Sequence, residues 1–175
     1  AILDERGEHE VVAFCVDAGH VPETGRFRDR PAVSFADAVD RFPPDSHGMI
    51  VALGYHDCNG LRAARMAVAR DAGYALLPCA SPRAMIARDV EVPPGAVITE
   101  GACVQAGVSL APGVIVFGPA AIGHHTRVGE CCWLASGSAI GGDAALGPQC
   151  FVGLNATIAN GVTLGRRCFV GAATL

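Results

Sequence analysis

Two adjacent histidines, His124 and His125, are the side chains of this 175-residue chain best suited to proton transfer. They follow Gly123 at an expected turn, where side chains project away from the folded body. A neutral imidazole can take a proton from an attacking hydroxyl or amine. Gly142 stands eighteen residues after His124, and a backbone N–H beside the imidazole could stabilise an oxyanion. The residue types therefore predict an acyl-transfer site, although the same pattern would also suit two solvated turn histidines.

An aliphatic residue recurs at every sixth position through the second half of the chain. All of these positions are Ile, Leu or Val, without an insertion: Val92, Ile98, Val104, Leu110, Val116, Ile122, Val128, Leu134, Ile140, Leu146, Val152, Ile158, Leu164 and Val170. A small residue usually stands two positions earlier, and glycine often follows directly. This hexapeptide pattern predicts a triangular parallel β-helix, in which residues eighteen apart stack at about 4.8 Å. Gly142 would then lie one coil above His124.

Three cysteines in this tract, Cys132, Cys150 and Cys168, are spaced by eighteen and lie in the small inward register. Eight cysteines in a small chain could form a disulfide framework. The spacing instead predicts buried apolar fillers, which indicates a reducing cytoplasmic location.

Three aromatic residues share the same spacing and should form a ladder on the outside of one sheet: Trp133, Phe151 and Phe169. We interpret this ladder as a subunit interface or as packing beneath a loop, in preference to a platform for a ligand.

The first half of the chain alternates strand-like and helix-like segments. The expected elements are a strand over Glu10–Val16, a helix over Phe35–Phe42 capped by Ser34, a strand over Met49–Leu53, a helix over Asn59–Ala72 and a strand over Ala75–Pro78. This order predicts a small α/β domain over residues 1–84 with a parallel sheet. The β-helix domain would cover residues 85–175. Because the chain begins with Ala1 and ends within the repeat, we expect sequence to be missing at both ends.

Three residues of the α/β segment follow predicted strands, namely Asp17, Gly54 and Asn59. Ligands of parallel sheets bind at the carboxyl ends of strands. A carboxylate there can accept hydrogen bonds from ribose hydroxyls, and glycine allows the backbone to approach a base or a phosphate. These residues are therefore predicted to bind substrate, although Asp17 could equally cap a turn.

Charge and hydropathy exclude several classes of partner. The net charge is −4, and all thirteen basic residues are arginine, so neither nucleic acid nor an anionic membrane surface is predicted as a partner. No apolar run approaches the roughly 20 residues of a membrane span. Residues 90–175 contain only seven charged side chains. A prism so poor in charge predicts oligomerisation.

The Ile122-Gly123-His124-His125 stretch, the long hexapeptide tract and the preceding α/β segment resemble bacterial sugar acyltransferases. That family includes sialic-acid O-acetyltransferases and N-acetyltransferases of nucleotide-linked amino sugars. The resemblance implies a Rossmann-like N-terminal domain that holds a sugar nucleotide and a left-handed β-helix. It also implies a homotrimer with acetyl-CoA, and no metal, in the cleft between neighbouring β-helices.

The same resemblance assigns roles to particular residues. His124 matches the catalytic base, and His125 stands where many members carry an orienting Asp or Glu. Gly142 matches the position whose N–H faces the thioester carbonyl. Asn155 and Gly161 lie where the family contacts the pantetheine arm of CoA.

Two other functions fit the same repeat. A carbonic anhydrase of the gamma type needs three histidines at zinc from separated positions, whereas this tract offers an adjacent pair whose side chains are expected to diverge. The second alternative is a non-catalytic module that binds a sugar nucleotide or supports assembly.

Overall fold

The computed structural model describes Gly7 and residues 9–175 of the chain. The first part contains short elements: β1 (Phe14–Val16), a 3-10 turn (Ala18–His20), β2 (Arg26–Phe27), β3 (Arg30–Ser34), α1 (Phe35–Arg41), β4 (Gly48–Met49), α2 (Gly60–Asp71) and β5 (Ala75–Leu76). Both helices lie where the sequence predicted them. The predicted cap of α1 is confirmed, because the Ser34 hydroxyl accepts a hydrogen bond of 3.1 Å from the Asp37 N–H.

These strands form two small sheets. In the first, β3 pairs in parallel with β1 and in antiparallel with β2; in the second, β4 pairs in parallel with β5. The single Rossmann-like sheet expected from the sequence is therefore not confirmed. The predicted strand over Met49–Leu53 is shorter than expected. Val51 packs in the core beneath α2, and the Leu53 carbonyl faces the Arg62 guanidinium at 3.4 Å instead of a neighbouring strand.

The second part consists of fifteen two-residue strands joined by tight turns. They are β6 (Cys79–Ala80), β7 (Met85–Ile86), β8 (Val97–Ile98), β9 (Cys103–Val104), β10 (Ser109–Leu110), β11 (Ile115–Val116), β12 (Ala121–Ile122), β13 (Arg127–Val128), β14 (Trp133–Leu134), β15 (Ala139–Ile140), β16 (Ala145–Leu146), β17 (Phe151–Val152), β18 (Thr157–Ile158), β19 (Thr163–Leu164) and β20 (Phe169–Val170). From β8 onward, each strand ends on an aliphatic residue of the hexapeptide repeat.

The fifteen strands stack into three parallel sheets. Sheet I contains β6, β8, β11, β14, β17 and β20; sheet II contains β7, β9, β12, β15 and β18; sheet III contains β10, β13, β16 and β19. Every registered pair joins residues eighteen apart, as in Ala121 with Ala139. This β-helix-like stack is the fold that the hexapeptide repeat predicted. Its pairing begins at Cys79, whereas the division of the chain at residue 85 stays a prediction.

The interior of the stack is filled by the repeat aliphatics and by small residues. Cys132 and Cys150 are fully buried, and their thiols donate to the carbonyls of Gly147 and Gly165 at 3.1 and 3.0 Å. The inward register predicted for these two cysteines is confirmed, while Cys168 is only half-buried. The pKa of the Cys132 thiol is raised, mainly by a hydrogen bond with Cys150 and to a smaller extent by burial.

The N-terminal part is joined to sheet I by buried polar contacts. Arg62 and Asn59 have no exposed surface. The Arg62 guanidinium donates to the Cys131 carbonyl at 2.7 Å and to Asn59 Oδ1 at 2.9 Å. The Asn59 amide donates to the Cys150 carbonyl at 3.1 Å. These bonds supply donors to turn carbonyls that α2 covers, which would otherwise be buried without a hydrogen-bond partner.

The aromatic ladder lies beneath this junction. The Phe151 and Phe169 rings stack with centroids 4.5 Å apart, and the Tyr55 ring lies 4.5 Å from Phe151 and 5.5 Å from Trp133. The structure supports packing beneath a loop for Trp133 and Phe151, whereas Phe169 is 59% exposed. Among the described residues, the helices are too short or too polar to cross a bilayer.

Candidate active site

The two histidines lie in a stack of turns that connect sheet II to sheet III. We call residues 105–107, 123–125, 141–143 and 159–161 the histidine turn column. Backbone hydrogen bonds hold the turns together. The Asp143 N–H donates to the His124 carbonyl at 2.9 Å, and the Gly161 N–H donates to the Gly142 carbonyl at 2.9 Å. Because each turn is fixed by the coil below it, side chains one coil apart are held in register.

The imidazoles of His124 and His125 converge, and their Nδ1 atoms are 3.1 Å apart. The expectation that adjacent histidines would diverge is therefore wrong. In an extended strand successive side chains point to opposite faces, but His125 has a left-handed backbone with φ of +58°. This conformation turns its side chain toward its neighbour. At 3.1 Å one Nδ1 donates a hydrogen bond and the other accepts it.

Asp143 supplies a carboxylate to this pair. Its Oδ2 lies 3.8 Å from His124 Nδ1, within ion-pair distance but beyond a direct hydrogen bond. Both side chains are more than half exposed, so solvent screens their attraction. Sequence reasoning did not assign Asp143 a role. The eighteen-residue period contained the signal, because it stacks Asp143 above His125, the position where the family resemblance implies an orienting acid.

Gly142 lies against the Nε2 side of the His124 ring. A Cβ built on Gly142 would stand 2.7 Å from both Cε1 and Nε2 of His124, closer than side chains approach one another. Glycine at this position therefore leaves room for the imidazole. The Gly142 N–H donates to Oδ1 of Asn160 at 3.1 Å. Asn160 is a second residue of the column that sequence reasoning did not assign.

A third unassigned residue, Gln105, lies one coil below. Its Oε1 accepts a hydrogen bond of 3.0 Å from the His124 N–H. The backbone of His124 is thus fixed from below by Gln105 and from above by Asp143.

The other predicted site residues are distributed differently. Gly161 belongs to the histidine turn column, whereas Asn155 lies in the turn after β17, which connects sheet I to sheet II. Asp17 pairs with Arg65 of α2 at 2.8 Å. A Cβ on Gly54 would meet open space, and Asn59 is buried in the junction described above. The structure therefore brings together His124, His125, Gly142 and Gly161.

A shallow groove of about 360 Å³ runs along the outside of sheet III. Besides three aliphatic residues of the repeat, Val128, Leu146 and Leu164, its lining consists of small residues and one arginine: Ser109, Ala111, Arg127, Gly129, Ala145, Gly147 and Thr163. The strands that line the groove, β10, β13, β16 and β19, each follow a turn of the histidine turn column.

No protein-family model matches the chain, and neither does any curated protein. Several solved structures do. A point mutant of perosamine N-acetyltransferase from Caulobacter crescentus, in complex with CoA and GDP-perosamine, is 28% identical with a TM-score of 0.76. That match covers 82% of this chain and 68% of the other.

The acetyltransferase domain of PglB from Neisseria gonorrhoeae is 22% identical with a TM-score of 0.86 and covers 98% of this chain and 81% of that domain. The same domain in complex with acetyl coenzyme A has a TM-score of 0.78, at 22% identity, and covers 98% of this chain and 85% of that domain. The resemblance to hexapeptide-repeat sugar acetyltransferases is confirmed by these neighbours.

Proposed function

We propose that this protein is a cytoplasmic acetyltransferase that transfers an acetyl group from acetyl-CoA to an amine or hydroxyl of a nucleotide-linked sugar. The observation that carries the proposal is the position of the His124 ring, whose Nε2 lies against Gly142 while its Nδ1 faces His125 and Asp143. The N-acetyltransferase with CoA and GDP-perosamine bound supports the same assignment.

His124 acts as the general base. Its Nε2 accepts the proton of the acceptor amine or hydroxyl while the acceptor atom attacks the thioester carbonyl. A C–N or C–O bond forms and the carbonyl becomes a tetrahedral oxyanion. When the C–S bond breaks, the thiolate of CoA leaves with the electron pair and takes the proton from the imidazolium. Atoms and charges then balance, with an acetylated sugar and free CoA as products.

His125 and Asp143 prepare His124 for this role. If the His124 Nδ1–H donates to His125 Nδ1, the proton is held on Nδ1 and Nε2 is free to accept another. The Asp143 carboxylate then stabilises the imidazolium that forms during the reaction. This pair replaces the acid that relatives often carry directly after the histidine.

The oxyanion is proposed to bind the Gly142 N–H. That N–H already has a partner in Asn160 Oδ1, so the bond would be exchanged for the thioester oxygen when acetyl-CoA binds. The bond to Asn160 orients the Gly142 N–H before acetyl-CoA binds. A donor that is already oriented is what electrostatic stabilisation of a transition state requires.

The groove on sheet III is proposed to hold the pantetheine arm of acetyl-CoA, because small side chains line much of it and its strands follow directly from the histidine turn column. Gly142, Gly161 and Asn155 remain the proposed acetyl-CoA contacts. Since Asn155 lies on a different turn column, it would serve a neighbouring subunit. The proposal therefore includes a homotrimer of left-handed β-helices with acetyl-CoA between them.

The acceptor sugar nucleotide is proposed to bind the Rossmann-like domain over residues 1–84, with Asp17, Gly54 and Asn59 as contacts. The exposed Asp17–Arg65 pair offers a carboxylate that can accept hydrogen bonds from sugar hydroxyls and a guanidinium cation. Asn59 would contribute indirectly, because its side chain is committed to the junction with sheet I.

The test is a turnover assay on the full chain. We expect release of the CoA thiol when acetyl-CoA is mixed with a nucleotide-linked amino sugar or hydroxy sugar, and mass spectrometry of the product distinguishes an amide from an ester. A nucleotide sugar that raises the melting temperature without any turnover would contradict the proposal in favour of a non-catalytic binding module.

A further inference from the structure

The donor atoms of His124, His125 and Asp143 converge on one point in space. The two Nδ1 atoms are 3.1 Å apart, Asp143 Oδ2 lies 3.8 Å from His124 Nδ1, and all three atoms lie within 4.8 Å of one another. The three side chains are exposed, so each can adjust by rotation. Two neutral imidazoles and one carboxylate carry a net negative charge, which favours a divalent cation.

These separations are near those of a zinc site. Zinc binds nitrogen at about 2.0–2.1 Å and oxygen at about 2.0–2.2 Å, so tetrahedral ligands are roughly 3.3–3.5 Å apart. The Nδ1 pair would open by a few tenths of an ångström, and Asp143 Oδ2 would close on His124 Nδ1 by a similar distance. Three protein ligands leave the fourth position for water or substrate. Imidazole nitrogen also favours zinc, copper and nickel over magnesium and calcium.

We propose that His124, His125 and Asp143 form a binding site for a divalent transition-metal ion such as Zn²⁺, and that this ion inhibits acetyl transfer. The inhibition rests on the proposed function. A metal on Nδ1 leaves the ring proton on Nε2, and an Nε2 that already carries a proton cannot accept one from the sugar. The arrangement that orients the base therefore also exposes it to capture by a metal.

Direct binding is tested on the full chain without substrates. Titration with Zn²⁺ in a calorimeter is expected to give one ion per chain, and Co²⁺ is expected to show the strong visible absorption of a tetrahedral complex. Mg²⁺ is the control and should produce no heat. A sulfur-to-cobalt charge-transfer band would place the ion on one of the cysteines, and would overturn the site.

Matched variants locate the ion. Asp143→Asn and His125→Asn are each expected to weaken zinc binding by more than about tenfold, since each removes one of three ligands. His56→Asn removes an exposed histidine outside the site and should bind zinc as the original chain does. Unchanged zinc affinity in both Asp143→Asn and His125→Asn would overturn the proposal.

Inhibition is measured separately. Turnover should fall in proportion to the fraction of chains that hold zinc and should return when a chelator is added. Zinc that binds at these residues without reducing turnover would overturn the inhibition. A chain that binds zinc here yet shows no acetyl transfer with any acceptor would contradict the proposed function and support the metal site, so the two failures can be told apart.

Discussion

The carboxylate of Asp143 stands 3.8 Å from Nδ1 of His124, one full coil further along the chain. The backbones of the same two residues are joined by a hydrogen bond of 2.9 Å from the Asp143 N–H to the His124 carbonyl. The imidazole and the carboxylate are thus held together by the coil-to-coil ladder of the β-helix. Under the proposed mechanism, substitutions of these two residues and of His125 should therefore all affect the same catalytic step.

His124→Asn should lower kcat by about 10²–10⁴-fold, because general-base catalysis contributes about that much. Asp143→Asn should lower kcat by about fivefold, since two charges at this distance in water interact by about 1 kcal/mol. His125→Asn should cost about tenfold through loss of the tautomer-fixing bond. The KM for acetyl-CoA should change little in all three.

Steady-state kinetics on the purified variants check these values, with Asp40→Asn on the exposed side of α1 as the control. Full activity of His124→Asn would remove His124 from the mechanism. If only His125→Asn were inactive, the base would be His125.

Gly142→Ala should reduce kcat by about 10²-fold, because the new Cβ would displace the His124 ring and misplacing a catalytic group by about 1 Å has that cost. The melting temperature should hardly change, since the ring is exposed and can move aside. Gly165→Ala is the matched control, because a Cβ there meets no atom within 4 Å. Equal kcat values for the two variants would contradict the proposed contact between Gly142 and the base.

Ala145→Trp should raise the KM for acetyl-CoA by tenfold or more, equivalent to about 1.4 kcal/mol of binding free energy. Ala145 points outward from β16 into the groove on sheet III. Ala139→Trp adds the same bulk to the outside of β15 on sheet II and serves as the control. Calorimetric titration with CoA gives the same comparison without catalysis. An unchanged CoA affinity in Ala145→Trp would move the pantetheine arm off this groove.

Arg62→Met should lower the free energy of unfolding by about 2–4 kcal/mol, because it leaves the carbonyls of Leu53 and Cys131 and the side chain of Asn59 without a buried donor. Burial lowers the pKa of Arg62, because desolvation destabilises the charged guanidinium. Part of the free energy of these hydrogen bonds therefore offsets the cost of desolvation. Denaturant unfolding measures the effect, with the exposed Arg88→Met as the control.

Asn59→Ala should cost about 1–3 kcal/mol in the same assay, since its amide donates to the Cys150 carbonyl and its oxygen accepts from Arg62. A loss of sugar-nucleotide affinity with unchanged stability would instead make Asn59 a direct substrate contact.

Sedimentation equilibrium should show a homotrimer at micromolar concentration. The physical reason is the low charge of residues 90–175, which leaves much apolar surface on the prism. A monomer at that concentration that turned over acetyl-CoA would exclude a cleft shared between subunits.

The sequence by itself determined the stack of parallel strands and the inward direction of Cys132 and Cys150. A period of six with one aliphatic residue per hexad fits a three-sided coil, and stacking then makes residues eighteen apart neighbours. It also indicated His124 and Gly142 as partners, for the same reason. These features follow from local periodicity, which a single chain carries in full.

The tertiary structure alone decided which atoms meet. The left-handed backbone of His125 turned two histidines toward each other, and the coil above supplied Asp143 in place of an acid at position 125. It also placed Asn59, whose position after a predicted strand suggested a ligand contact, in a buried junction, and divided the expected N-terminal sheet into two small ones. These outcomes depend on contacts between residues far apart in the chain, such as Asn59 with Cys150, which no local pattern encodes because each partner is ordinary in its own surroundings.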